Sequence, residues 1–109
     1  MILLVCLTAA GSAGAQALPE TDYALQCRGC HGPDGAGVPG RVPALAGVAA
    51  LLETPAGRAR LLAVPGVRQS SLSDERLAHL LEWVALRFAP ADSAPHFPPL
   101  SAREVERLR

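Results

Sequence analysis

The sequence predicts an all-α fold of a few short helices, and three observations predict it. No stretch alternates apolar and polar residues with the period of two that a half-buried strand requires. Within residues 74–88, by contrast, Leu77, Leu80, Leu81, Val84 and Phe88 recur at helical spacing and fall on one face. Finally, residues whose side chains cap helices, Thr54, Ser73 and Ser101, each stand just ahead of a segment suited to helix. At 109 residues, half of them hydrophobic, the chain has room for one domain with a small core.

Residues 1–17, MILLVCLTAAGSAGAQA, carry no charged side chain, begin with a short apolar run and end in Ala15-Gln16-Ala17. That pattern reads as a secretory signal cleaved after Ala17, which predicts export to the periplasm. The apolar run is far too short to span a bilayer. The alternative is an uncleaved N-terminal anchor, the one circumstance in which a membrane is expected to be a partner. Lipid attachment at Cys6 is disfavoured by the bulk of Val5. Cleavage leaves a chain of under about 100 residues, a size at which a core often needs reinforcement from a disulfide, a metal or a cofactor.

Residues 18–89 form the predicted main domain. Thr21 or Asp22 is expected to cap a short helix running through Tyr23, Ala24 and Leu25 into a cysteine pair. Gly29, Gly32, Gly35, Gly37 and Gly40, with Pro33 and Pro39, then describe a loop. Residues 44–52 and 54–62 are Ala/Leu-rich and predict two helices, the second opened by Thr54 with Pro55 in its first turn. Residues 63–72 form a loop, and Ser73 opens the helix 74–88. The Pro-rich stretch 90–100 reads as a linker, and residues 101–109 as a short extra C-terminal helix.

The chemistry concentrates in Cys27-Arg28-Gly29-Cys30-His31. C-x-x-C-H is the attachment pattern for c-type haem: each thiol forms a thioether with a vinyl group, and the adjacent imidazole ligates the iron from one side. Two intervening residues let one helical turn present both sulfurs to the same porphyrin edge. Three readings compete. A thioredoxin-like dithiol wants a strand before the motif, and none is predicted. A structural zinc needs four ligands, and only three are crowded here. A disulfide between cysteines three apart closes too small a loop to stabilise much. Haem explains the pattern best, and the glycines after it are expected to let the backbone pass close to the haem edge. Formal charge is zero and the ten basic residues are all Arg, spread without a run, so neither nucleic acid nor an anionic membrane surface is predicted as a partner.

The stretch CRGCHGPDGAGVPGRVPAL resembles the class I cytochromes c, small monohaem electron carriers. The resemblance runs from about residue 20 to 89 and leaves the linker and the last residues outside. It implies a cytochrome c-like fold, three to five short helices around one covalently bound haem c per chain. It implies that Cys27 and Cys30 carry the thioethers and that His31 is the proximal iron ligand. The carbonyl of Pro43 would accept the His31 ring N–H, Leu45 would pack on the haem face, and Arg41 would pair with a propionate or else be solvated. The Tyr23 helix would pack against the 74–88 helix. The implied function is periplasmic electron transfer to or from a redox partner, a dehydrogenase or an oxidase, by a monomeric carrier that is not itself an enzyme.

One departure stands out. Carriers of this family take their second axial ligand from a methionine ahead of the last helix, whereas the only methionine here is Met1. The conventional candidates for the distal position are His96 and His79, behind water or an empty site. The alternative function is therefore a haem protein with an open sixth iron position that binds NO, CO or peroxide.

Overall fold

The computed structural model describes residues 18–109, so the expected signal, with Met1 and Cys6, lies outside the described residues. Among the described residues six α-helices follow one another: α1 (Pro19–Gln26), α2 (Arg28–His31), α3 (Val48–Leu52), α4 (Pro55–Ala63), α5 (Asp74–Arg87) and α6 (Ala102–Leu108). A 3-10 turn at Leu45–Gly47 leads into α3. Among the described residues extended pairing is confined to an isolated bridge between Val38 and Val42. No helix among them is long and apolar enough to cross a membrane.

The expected caps at Thr54, Ser73 and Ser101 form: each side chain accepts from the backbone N–H three residues on, Gly57, Arg76 and Glu104, at 3.0, 3.2 and 3.1 Å. The first helix begins earlier than Thr21. Pro19 occupies its first turn, where a fixed φ and a missing N–H cost nothing, so no side-chain cap is used. Asp22, expected as a cap, lies inside that helix, buried, and pairs with Arg76 of α5. The single helix expected over 44–52 splits into the 3-10 turn and α3, with Gly47, a poor helix former, at the junction.

α5 is the centre of the molecule. It buries Leu77, Ala78, Leu80, Leu81, Val84 and Ala85 and packs against α1, α3 and α6. Leu52, Leu62 and Val105 complete the core with no exposed surface. Prolines exclude helix from 90–100, yet their carbonyls are used. The buried Arg58 of α4 donates to the carbonyls of Pro98 and Pro99 and pairs with Glu104 of α6 at 2.7 Å. Its Nε donates to Leu52 O at 2.8 Å. The Leu100 N–H donates to Glu82 at 2.5 Å, and Leu100 is buried. The end of the segment read as a linker, from Phe97 to Leu100, is thus fastened to the core and delivers α6 onto α4 and α5, while residues 90–96 stay largely exposed.

Candidate functional site

Cys27 ends α1, and the backbone turns directly into α2, with the N–H groups of Cys30 and His31 both donating to Cys27 O at 3.2 and 3.0 Å. That turn sets both thiols and the imidazole on one short piece of chain. Both cysteines are free, Cys27 half-buried and Cys30 exposed. Burial pushes the Cys27 thiol up, and the nearby Asp22 and Cys30 add in the same direction.

His31 Nδ1 lies 2.9 Å from the carbonyl oxygen of Pro43. A carbonyl only accepts, so Nδ1 carries a proton, and in the neutral ring this leaves the Nε2 lone pair free to bind a metal. The loop between them makes this contact possible. Gly37 adopts φ +66°, and a Cβ there would stand 2.3 Å from Val42 O and 2.7 Å from Pro43 O. Gly35 adopts φ +67°, with the Phe88 ring 2.8 Å from where its Cβ would be. The close approaches that demand glycine at these two positions are therefore to the loop's own carbonyls and to Phe88. Further bonds from Gly37 N to His31 O (2.9 Å) and from Leu45 N to Gly35 O (2.8 Å) close the loop.

Tyr23 anchors the same loop from below. Its hydroxyl donates to Gly32 O at 2.5 Å, and its ring packs against Trp83 and Phe88 with centroids 5.5 and 5.1 Å away. Burial, chiefly, raises its phenol above the ordinary tyrosine value.

Cys27, Cys30 and His31 open on one cleft, together with Gln26. The apolar face of α5 forms its floor through Leu77, Leu80 and Leu81, and the loop after α4 contributes Val64, Pro65, Gly66, Val67 and Ser70. The other residues singled out in the sequence lie elsewhere. Leu45 is half-buried against the core in the 3-10 turn, and Arg41 is exposed on an open groove that it shares with Pro43. His79 and His96 are both exposed, and neither lines the cleft. Sequence reasoning missed Arg58 and Arg109. Arg58 had a signal, since Leu61 and Leu62 follow at i+3 and i+4 and place it on an apolar face; Arg109 had none.

These residues fit a c-type haem. Two free thiols one helical turn apart suit two thioethers, a metal-ready Nε2 suits one axial bond, and a leucine floor suits a flat apolar macrocycle. Among the described residues no group of three or more His, Cys, Asp or Glu is placed to hold a bare metal ion.

Comparison with known proteins points the same way. The model of the family described as Cytochrome c matches residues 13–68. The chain is similar to a cytochrome c-552 of Thermus thermophilus, 36% identical over 126 aligned positions that take in 98% of this chain and 84% of the relative. It is also 36% identical over 103 positions to a second Thermus thermophilus cytochrome c-552, covering 77% of this chain and 79% of that one.

Proposed function

We propose that this chain, which belongs to the cytochrome c family and so carries a covalently bound haem c, is an exported one-electron carrier. In this reading Cys27 and Cys30 hold the haem and His31 ligates its iron. The haem, when bound, supplies a one-electron ferric/ferrous couple. The chain's own residues fix and shield it. Pro43 orients His31 and strengthens its Nε2 as a donor by accepting the opposite ring proton. Leu77, Leu80 and Leu81 keep water from one wall of the cleft. The exposed Cys30 leaves that side of the site open to a redox partner, a dehydrogenase or an oxidase. Arg41, on the loop that carries Pro43, is offered to a propionate, while Leu45 packs against the core outside the cleft. The uncharged residues 1–17, ending in Ala15-Gln16-Ala17, support a periplasmic location.

The observation that carries the proposal is the convergence of both thiols and a carbonyl-oriented imidazole on one apolar cleft. Visible spectra of the purified protein, oxidised and reduced, test it. Haem c bands that interconvert reversibly on one-electron titration are expected, and their absence would overturn the reading.

A specific observation favours a second property beside electron transfer. The loop that faces the cleft offers Val64, Pro65, Gly66, Val67 and Ser70, and both candidate histidines lie outside. We read the sixth iron position as open or water-bound, able to take CO or NO. Spectra of the reduced protein with and without CO distinguish this from a filled site.

A further inference from the structure

Arg109, the residue that follows α6, reaches back to the loop that borders the cleft. Its Nη1 donates to the carbonyl of Ser70 at 3.1 Å and its Nη2 to the carbonyl of Leu72 at 3.0 Å. The same Nη2 lies 2.7 Å from Asp74 Oδ1, in the first turn of α5. One guanidinium thus ties the far end of the 64–72 loop to the helix that floors the cleft.

The loop's other hydrogen bonds are mostly local: the N–H groups of Val67 and Arg68 donate to Val64 O at 3.1 and 2.9 Å and that of Ser70 to Val67 O at 3.2 Å, while Leu72 is buried in the core and Val67 packs against it. Gly66 N bonds to Gln69 Oε1 at 2.9 Å and Leu72 N to Ser70 Oγ at 3.3 Å, both within the loop itself. Across the cleft there is a long contact of 3.5 Å from Ser70 Oγ to Gln26 Oε1. Arg109, in contrast, is presented by a fixed helix, since Val105 is fully buried and Glu104 is paired with Arg58. Without this grip the loop between α4 and the buried Leu72 would be restrained by its own turns, the packing of Val67 and the long Ser70–Gln26 contact, and its Ser70 end would gain freedom to move.

We propose that Arg109 is a positioning residue that governs how readily a small diatomic ligand reaches the iron. It does so by holding the 64–72 loop closed over the cleft. The proposal rests on the reading of a covalently bound haem with an open sixth position.

Flash photolysis of the CO complex tests it in the reduced holoprotein, with covalent haem verified by mass in each variant. Arg109→Ala is expected to raise the CO association rate severalfold, and Arg109→Lys, which keeps a charge for Asp74 but loses the fork, to fall between the two. Leu52→Ala, a core change away from the cleft, controls for general loosening and is expected to match the native rate. Equal rates in the native protein and Arg109→Ala, or an equal rise in Leu52→Ala, would overturn the role of Arg109 while leaving the open site intact. A holoprotein that excludes CO in every variant would overturn the open site and this proposal together.

Discussion

The ring of His31 and the carbonyl of Pro43 meet at 2.9 Å across a loop of eleven intervening residues, and Gly37 is what lets them meet. A methyl group on Gly37 would collide with the very carbonyl that holds the imidazole. Gly37→Ala is therefore expected to destabilise the fold by about 1–3 kcal/mol through its positive φ and the clash. It is also expected to leave haem attached while loosening His31. Denaturant unfolding and the visible spectrum check the two halves separately; an unshifted spectrum would mean that Gly37 does not govern the His31 contact.

Tyr23 joins α1, α5 and the same loop. Its phenol is held above the ordinary value by burial, so the folded state prefers the neutral form. The sign follows from linkage: the stabilisation is fully present below the unfolded tyrosine value of about 10 and is lost as pH rises through the higher folded one. Tyr23→Phe is expected to cost about 1 kcal/mol near neutral pH through the lost bond to Gly32 O. It should also flatten the alkaline fall in stability. Unfolding curves of both proteins across about pH 8 to 11 check this, and curves that stay parallel would contradict it.

The attachment of α6 depends on Arg58, whose side chain is 7% exposed against 21% for Glu104. Removing one partner of such a pair strands the other, so Arg58→Ala is expected to cost about 3–5 kcal/mol. An apolar replacement of both, Arg58→Met with Glu104→Leu, should recover part of that loss, less the bonds to the Pro98 and Pro99 carbonyls. Equilibrium unfolding of the two variants gives the comparison.

Much of this was legible because its cause is local. The caps at Thr54, Ser73 and Ser101 and the apolar face of α5 follow from residues within a turn or two of one another. The C-x-x-C-H spacing likewise places the thiols and the imidazole on one helical turn. The His31–Pro43 contact came from the family resemblance and not from spacing, since loop geometry decides it. What the sequence concealed is long-range. Asp22 looks like a cap until Arg76, 54 residues on, is brought beside it. The end of the Pro-rich stretch 90–100 looks like linker until Arg58 claims the carbonyls of Pro98 and Pro99 from 40 and 41 residues away. Gly47 divided a helix that composition alone joined, because a weak helix former at the junction tips the first turn to 3-10.

The central claim is that Cys27 and Cys30 carry a haem covalently, and the intact mass of the denatured protein tests it most directly. The protein is expressed with the haem-attachment machinery and its mass taken under conditions that strip non-covalent ligands. The account predicts the mass of the chain plus one haem for the native protein and an unmodified chain when both cysteines are replaced by Ala. A native protein that runs at the mass of the bare polypeptide, with both thiols free to react with an alkylating reagent, would contradict it.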